Sequence, residues 1–510
     1  MSFSYTEKKR VRRSFEKISS VMELPNLLAT QVQSYDAFLQ RYVDSDKRLN
    51  AGLEQVLNSI FPIESHNGFA RMEYSGFTLG EPIFDERECK LKGITYEISL
   101  HINCDLFFID KDSGKLKEGK SQSVYMGTVP LMTDHGTFII NGTERVLISM
   151  EDLAPNRVTV EKNKKYAHET EVAKIFSQKD GVRKPLNVEK RRDGMLMVKI
   201  PSAGTAAIPV VLLMRALGMQ NDREIFAAIA GPVEAMKYTV ANLNDVKDNE
   251  EYGVETSEEA VAWLEKKFAH GQQKEYRESR IQNMLDKELL PHLGSLPEAR
   301  EKKAIFLGRI VRQVLEMAIT NRDPNDKDHY ANKRVRLAGD LIEDLFRVSL
   351  QQLARDLKYQ LERHHNRKRD LKINACLRPD VLTSKIMHAL ATGNWVGGRS
   401  GVSQLLDRTT YLAALSHMRR VTSPLVRSQP HFEARDLHPT HWGRLCPNET
   451  PEGQNCGLVK NAAQMIDVSE EVAESEVKEL LKEAGVDDSP AGWADGSRIH
   501  VNGDIFGLHK

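Results

Sequence analysis

Two glutamates lie in a conformationally restricted loop near the end of the chain, within GRLCPNETPEGQNCGLVKN (residues 443–461). Pro451 restricts its own backbone and that of the residue before it, and Gly453 permits a sharp bend. We therefore expect Glu449 and Glu452 at fixed positions around a turn. Carboxylates held in this way can bind basic partners or act on a ligand that already carries a metal; a charged surface turn is the alternative.

Cysteines and histidines near this loop raise the question of a metal site. Nine residues lie between Cys446 and Cys456, and neither belongs to a CxxC pair, although structural zinc sites usually use closely spaced pairs. The HPTH motif brings His438 and His441 close together upstream. This pattern leaves a Cys/His zinc site open. The stronger expectation is that Cys446 is a small buried residue beside a turn, and we expect no zinc here.

Other catalytic signatures are missing from the sequence. There is no GxSxG nucleophile motif, and GNWVGGRSG (residues 393–401) does not match a nucleotide P-loop. Two-metal nucleotidyl transfer needs clustered aspartates, and no Asp-x-Asp-x-Asp group occurs. If the protein takes part in phosphoryl chemistry, another chain must supply the acids that bind the metal.

Composition indicates a chain of roughly two to four domains, with 510 residues, 40% of them hydrophobic and 28% charged. No run of apolar residues is long enough to cross a membrane, and the basic start has no apolar stretch behind it. The odd, scattered set of five cysteines favours a reducing compartment, hence the cytoplasm: Cys89, Cys104, Cys376, Cys446 and Cys456.

Basic and acidic residues balance at 72 each, but the basic ones are clustered. Three clusters occur, at residues 8–13, at 363–369 and at Arg419–Arg420. This distribution suits a subunit that meets nucleic acid on one face, although each cluster alone is more typical of a solvated helix face.

Strands are predicted in the first 150 residues. Apolar and polar side chains alternate from Ile94 to Leu106, and Asn141-Gly142 separates two apolar runs as in a type I′ hairpin. Helices dominate afterwards. A capping box is predicted at Thr256 and Glu259, and helical apolar spacing follows at 305–319 and 341–361.

The last 45 residues are predicted to hold a short acidic helix and a hairpin. Ser469 is the expected helix cap and Gly485 the stop. RIHVNGDIFGLHK predicts two strands around Asn502-Gly503. Because an isolated hairpin is marginally stable, we expect its edge to pair with a different chain, or a longer ancestor to have been cut here.

Two adjoining stretches, SQLLDRTTYLAALSHMRRVTSPL and FEARDLHPTHWGRLCPNETPEGQNCGLVKN, resemble the fork region of the second-largest (beta-type) subunit of multisubunit DNA-directed RNA polymerase. Five more resembling stretches occur in family order: YTEKKRVRRSFEK, FDERECKLKGITYEISL, VYMGTVPLMTDHGTFIINGTERVLIS, DLAPNRV and DHYANKRVRLAGDL. The chain resembles the N-terminal half of a subunit that is split in many archaea. Residues 1–150 resemble bacterial members, and the remainder resembles archaeal ones.

The resemblance implies an α+β multidomain fold. A discontinuous mixed α/β protrusion domain would consist of residues 1–150 and 328–400, with a helix-rich lobe domain inserted at 151–327. The fork region would follow at 401–465, and residues 466–510 would begin the next, external region.

The resemblance also implies transcription: template-directed addition of ribonucleotides within a multisubunit nucleotidyltransferase. Glu449 would lie near the incoming nucleotide, and Arg435, Arg444 and Glu452 would stabilise the fork or contact nucleic acid. The segment beside the RNA–DNA hybrid would contribute Gln404, Asp407, His417, Arg419 and Arg420. Implied partners are the other half of this subunit, the largest subunit, other polymerase subunits, DNA, the hybrid and nucleoside triphosphates. The largest subunit would hold Mg²⁺.

Two other functions stay open at this stage. The chain could be a purely architectural subunit, or a stand-alone nucleic-acid-binding protein, which would bind by itself with a steep salt dependence. Balanced charge and the unfinished hairpin argue against the second.

The segment around His417 also predicts weak binding of rifamycins, whose bacterial pocket it resembles. Met418 and the sequence VTSP (residues 421–424) alter that pocket. We expect an assembled polymerase containing this chain to resist rifamycin doses that stop a bacterial enzyme in a primer-extension assay. Inhibition at ordinary bacterial doses would contradict this prediction.

Overall fold

A computed structural model describes residues 26–65, 68–109, 116–163, 169–179, 181–204, 206–229, 231–271, 273–367, 373–469, 472–488 and 497–509. The helices are α1 (Ala29–Leu39), α2 (Gly52–Ile60), α3 (Glu86–Lys92), α4 (Val210–Ala216), α5 (Asp222–Ile229), α6 (Val233–Asp248), α7 (Ser257–Phe268), α8 (Lys274–Asn283), α9 (Arg300–Thr320), α10 (Ala338–Asn366), α11 (Ile373–Cys376), α12 (Asp380–Thr392), α13 (Tyr411–Met418), α14 (Phe432–Arg435) and α15 (Glu474–Glu483).

The strands are short except in the first sheet. They are β1 (Ile63–Glu64), β2 (Ala70–Leu79), β3 (Glu97–Ile109), β4 (Leu116–Pro130), β5 (Phe138–Ile140), β6 (Thr143–Leu147), β7 (Ser149–Leu153), β8 (Thr159–Asn163), β9 (Thr170–Lys179), β10 (Val182–Lys190), β11 (Leu196–Lys199), β12 (Ala207–Pro209), β13 (Lys333–Arg336), β14 (Ser403–Leu405), β15 (Arg420–Thr422), β16 (Val459–Asn461), β17 (Ser497–Val501) and β18 (Asp504–His509).

The first sheet is antiparallel, with strand order β1-β2-β3-β4. Alternate residues of β3 are buried, from Ile98 to Leu106, which confirms the predicted alternation. The predicted start at Ile94 is wrong by three residues. Before Glu97 the backbone bonds elsewhere: the amide of Ile94 donates to the end of α3 and that of Tyr96 to Ile139 of β5.

The predicted hairpin is confirmed as β5 and β6. Both turn residues have positive φ, 50° at Asn141 and 78° at Gly142, as a type I′ turn requires. A third strand, β14, pairs with β6 and brings Gln404 opposite Val146. The hairpin therefore supports the beginning of the predicted fork region.

Two hydrophobic clusters organise the described residues. The first combines side chains from 35–150 with side chains from 338–402, and α10 runs through it against α1, α2 and α12. The second contains side chains between 160 and 317 only. The predicted division into a discontinuous protrusion and an inserted lobe stays a prediction, and these clusters are its physical basis.

The second cluster lies between a five-stranded antiparallel sheet, β12-β11-β10-β9-β8, and helices α4–α9. The predicted capping box at the start of α7 is confirmed: the amide of Glu259 donates to Thr256 Oγ1 at 3.3 Å, and Glu259 accepts from the Thr256 amide at 3.1 Å. Mixed helices and several sheets in more than one core confirm the α+β multidomain class. Within the described ranges, no helix is long and apolar enough to cross a membrane.

A small mixed sheet, β13-β7-β15-β16, joins segments that are far apart in the chain. β15 runs parallel to β7, while the other two pairings are antiparallel. Glu151 of β7 is 2% exposed and binds across the sheet: Oε1 lies 2.7 Å from Lys460 Nζ and 3.5 Å from Lys333 Nζ. The hydroxyl of Tyr330 donates to Oε2 at 2.6 Å. We call these four residues the Glu151 cluster.

Burial disfavours the charged forms of Glu151 and Lys460, the closest ion pair in this cluster. For Glu151, the two lysines and the Tyr330 hydroxyl outweigh burial and hold the pKa below its usual value. For Lys460, burial is the largest influence and lowers the pKa, although Glu151 opposes the shift. Because the folded pKa of Glu151 is lowered, its carboxylate stabilises the folded state when the pH is above the unfolded pKa of about 4.3. That contribution is lost as the pH falls through the folded pKa.

The next residue, Asp152, makes a second link between segments. Its carboxylate binds Arg183 of β10 and, at 2.6 Å, Arg399 from the loop before β14. Burial raises the pKa of the Asp152 carboxyl, but the two arginines lower it by more than burial raises it. The pKa of Asp152 therefore stays below its usual range. Adjacent carboxylates on β7 thus connect segments of both hydrophobic clusters with the predicted fork region.

The C-terminal predictions are partly wrong. Ser469 is not the helix cap: α15 begins at Glu474 with Ala473 at its N-cap, where no side chain accepts a hydrogen bond. Val472, which lies before the helix, and Leu480 within it are both exposed, and α15 has no buried side chain. The final hairpin is confirmed as β17 and β18, with positive φ at Asn502 and Gly503. The basic cluster at residues 8–13 lies outside the described residues, as do the last two residues of the cluster at 363–369.

Replacing Glu151 with glutamine should destabilise the full chain by about 3–5 kcal/mol, since it leaves two lysines buried without their anion. Urea denaturation at neutral pH, followed by circular dichroism, measures the loss. The control is Asp44→Asn, which removes an ion pair with Lys47 whose two side chains are both 76% exposed. That change should cost about 0–1 kcal/mol. Equal losses in the two variants would contradict the assigned importance of the Glu151 cluster.

Candidate nucleic-acid interface

The loop that carries Glu449 and Glu452 is anchored at both ends to the small mixed sheet. Leu445 forms a bridge with Ala462, and the amide of Cys446 donates to the Asn461 carbonyl at 2.9 Å. After the loop the chain enters β16, which pairs with β15. The loop therefore projects from a sheet edge fixed by the Glu151 cluster.

Thr450 closes the loop from inside. Its hydroxyl donates to the Val459 carbonyl and accepts from the Gly457 amide, each at 2.9 Å. Gly453 has φ of 78°, as predicted for a sharp bend, and starts a short 3₁₀ turn that ends at Asn455. Two hydrogen bonds from one side chain hold the two arms of the loop together.

Glu449 is exposed but tethered. Ser416 Oγ, on α13, donates to Glu449 Oε1 at 2.5 Å and lies 3.4 Å from Asn461 Oδ1. Burial lowers the pKa of the nearby Arg419, and the charge of Glu449 partly opposes that shift. Glu452 lies on the same loop, also exposed. One of the two predicted carboxylates thus has a fixed orientation relative to α13.

Gln404, Asp407 and His417 meet in one hydrogen-bonded group. The Asp407 amide donates to His417 Nδ1 at 3.1 Å, so Nε2 carries the proton and donates to Gln404 Oε1 at 2.9 Å. Burial, followed by the charge of Arg420, lowers the pKa of His417. His417 is therefore neutral at physiological pH and holds two backbone segments together.

Arg419 is used inside the protein. Its guanidinium donates to the backbone carbonyls of Leu27, Ala462 and Ala463, and it thereby ties α13 to the chain on both sides. Arg420 differs from its neighbour. Its backbone pairs with Asn461, and its Nε is buried without a hydrogen bond to the described residues.

Arg435 has all five guanidinium N–H groups occupied by backbone carbonyls. Nε donates to Pro430 at 2.7 Å, and Nη1 donates to Gln454 and Cys456 at 2.7 and 2.8 Å. Nη2 donates to Arg427 and Gln429 at 3.0 and 3.1 Å. Arg435 thus joins the 427–430 loop to the glutamate loop.

Arg444 is exposed and donates to the Thr440 carbonyl at 3.1 Å. His438 caps the short turn beside it by accepting from the Thr440 amide at 3.2 Å, and its Nε2 lies 2.8 Å from Asp326. His441 is buried edge-on against Tyr330, and burial lowers its pKa to about 4. Both histidines therefore have partners among the described residues.

The described ranges contain no group of three or more His, Cys, Asp or Glu side chains arranged to hold a metal ion. Cys446 is half-buried rather than buried, and Cys456 is exposed. The predicted carboxylates of the loop do not converge with the histidines.

Sequence reasoning missed three contributors. Arg408 binds Glu144 with two hydrogen bonds, at 2.7 and 2.8 Å, and so fixes the segment between β14 and α13 to the hairpin. Ser416 orients Glu449, and Glu151 supports the sheet beneath it. Their partners lie 33 to 309 residues away, so no local pattern could have revealed the pairs.

Family models match two parts of this chain. Residues 154–336 match "RNA polymerase Rpb2, domain 2", and residues 404–468 match "RNA polymerase Rpb2, domain 3". The second match contains every residue predicted at the fork.

Archaeal relatives match much more of the chain. The DNA-directed RNA polymerase subunit Rpo2N of Methanocaldococcus jannaschii is 40% identical over 92% of this chain and 98% of its own length. The Rpo2N of Halobacterium salinarum is 51% identical over 70% of this chain and 68% of its own. Rpo2 of Saccharolobus solfataricus is 42% identical over 80% of this chain but only 37% of its own length.

The first of these alignments leaves 8% of this chain uncovered (100% minus 92%), so it includes most of residues 1–150. An archaeal relative is therefore similar there too, and the bacterial character of that segment stays a prediction.

Arg435→Lys should loosen both loops, because a lysine presents its donors from one nitrogen and cannot reach five carbonyls. Hydrogen exchange of the amides at 427–429 and 454–457 should become roughly tenfold faster or more, since each charged hydrogen bond contributes about 1.5–3 kcal/mol. Mass spectrometry of the exchanged peptides provides the measurement. Arg427→Gln, at an exposed side chain of the same loop, should leave these rates unchanged. Unchanged protection in Arg435→Lys would show that the five bonds do not hold the loops.

Proposed function

We propose that residues 401–465 form the fork of an RNA polymerase. The premise is that this chain belongs to the second-largest-subunit family of DNA-directed RNA polymerase and corresponds to its N-terminal part. In this role the fork borders the RNA–DNA hybrid and the site of nucleotide addition. The polymerase is a nucleotidyltransferase complex, and we propose that the isolated chain is catalytically inert.

The observation that supports this proposal most directly is the tethered, exposed carboxylate of Glu449. The loop is closed by Thr450 and anchored to β16, and Ser416 holds the carboxylate from the side of α13. A negative group fixed before the ligand arrives needs no reorganisation when it acts. It suits a role beside a nucleotide that carries its own cations.

The arginines divide into two groups in this proposal. Arg419 and Arg435 organise the fork, because their guanidinium groups already bind backbone carbonyls. Arg420 and Arg444 retain donor capacity and are proposed to face the nucleic acid, where phosphate contacts position the strands. Gln404, Asp407 and His417 fix the segment on which Arg420 lies.

The domain assignment follows the two hydrophobic clusters. We propose residues 1–150 and 328–400 as the protrusion, 151–327 as the lobe and 466–510 as the start of the external region. The Glu151 cluster then lies where protrusion, lobe and fork meet.

Magnesium is not placed on this chain. The donor groups of the described residues do not converge on a metal, so no step of the proposal runs through Mg²⁺ held here. The largest subunit is proposed to hold Mg²⁺.

As a polymerase subunit, this chain partners other polymerase subunits. The specific contacts proposed are with the largest subunit and with the other half of the second-largest subunit. The five free cysteines favour a cytoplasmic location.

Glu449→Gln should slow nucleotide addition by about tenfold, because it removes the charge and keeps the shape, and roughly 1.4 kcal/mol is a tenfold rate change. Single-nucleotide addition is measured by rapid quench with reconstituted polymerase. Assembly, checked by gel filtration, should be unaffected because the side chain is exposed.

The matched control is Glu476→Gln, the same chemical change on the exposed face of α15. Its rate should equal that of the unaltered enzyme. If Glu449→Gln also adds nucleotides at the unaltered rate, the purely architectural role is favoured. Tight, salt-sensitive DNA binding by the isolated chain would instead favour the stand-alone binding protein.

A further inference from the structure

A polar cleft lies between α9 and the C-terminal hairpin, remote in sequence from the fork. The cleft has a volume of about 620 Å³ and adjoins a second one of about 600 Å³, with which it shares Phe306, Arg309 and Gln313. These volumes are in the range of small-molecule sites.

The hairpin is held against α9 by specific contacts. Lys302 Nζ lies 2.7 Å from an Asp504 oxygen. The turn at Gly503 is pressed onto the ring of Phe306, so that a Cβ there would lie 2.8 Å from Phe306 Cε2. The cleft is therefore built into the packing of the hairpin on the helix.

Arg309 is the central cation of this cleft. It is half-buried, and within the described part of the chain its guanidinium makes no hydrogen bond or ion pair. Burial lowers its pKa, and the charge of Arg312 lowers it further. A guanidinium without an anion in a partly desolvated cleft gains free energy when an anion reaches it.

Other donors line the same cleft. Arg157 and Arg322 lie at its rim, both exposed, and Gln313 is half-buried on α9 next to Arg309. The carboxylates on the lining are Glu316 and Asp323, and Glu316 is already bound to Arg312 at 2.7 Å. Positive donors therefore exceed the anions available to them.

We infer that this cleft binds a small ligand that carries a phosphate group, with Arg309 as the central contact. Three arginines on the lining of one cleft match the several acceptor oxygens of one phosphate better than the two of a single carboxylate. The cleft volume of about 620 Å³ also favours a small ligand over an extended acidic peptide. The site is separate from the proposed fork, so its test does not depend on the fork's function.

Isothermal titration calorimetry on the full chain tests the inference with three probes. Inorganic phosphate and adenosine monophosphate carry the required group, whereas adenosine does not. We expect at least one phosphate probe to bind and adenosine to give no heat. Binding by adenosine monophosphate alone would identify a nucleotide, and equal binding of both phosphate probes would identify the phosphate as the whole ligand.

Arg309→Gln should weaken the binding about tenfold or more, as expected for loss of charged hydrogen bonds. Arg322→Gln, at an exposed position, should weaken it less and provides a variant that keeps the fold if Arg309→Gln unfolds. Arg223→Gln, on the exposed side of α5, is the matched control and should bind normally. Any one of three results would overturn the inference. The first is absence of heat from both phosphate probes, and the second is full affinity in folded Arg309→Gln. The third, which applies if Arg309→Gln is unfolded, is full affinity in Arg322→Gln.

Discussion

The rest of the structure depends on one buried carboxylate. Glu151 is kept charged inside the protein only because Lys460, Lys333 and Tyr330 surround it, and these partners come from positions 309, 182 and 179 residues away. A buried charge without its partners is costly, so the cluster forms only when all its segments are in place. The small mixed sheet is consequently a meeting point for segments that have separate cores.

The proposed fork region is built outward from this sheet by arginines that satisfy backbone carbonyls. Its loops have little hydrophobic core of their own, and many of their residues are exposed. Arg419 and Arg435 replace that core with charged hydrogen bonds to carbonyls that would otherwise face water or remain unsatisfied. A loop held by such bonds keeps a fixed shape at the surface.

This construction explains how the proposed work is shared along the chain. The residues that fix shape are buried or fully bonded, whereas Glu449, Arg444 and the exposed Trp442 remain at the surface of the same region. In the proposed role, these surface residues would act together with another polymerase subunit. The cleft at Arg309 follows a different principle, because its cation has no partner in the described part of the chain.

The sequence alone determined the local structure: alternation gave β3, the Asn-Gly pairs gave two hairpins, and Thr256 with Glu259 gave the start of α7. These features depend on neighbouring residues, and motifs at 403–461 were enough to indicate the family. Tertiary structure alone decided which arginines were internal, that Ser416 orients Glu449, and that Glu151 joins three segments. Ser469 failed as a cap because serine is also common outside helix starts, and α15 begins only at Glu474. Pairing across hundreds of residues leaves no local pattern, since each partner is specified only by the folded backbone.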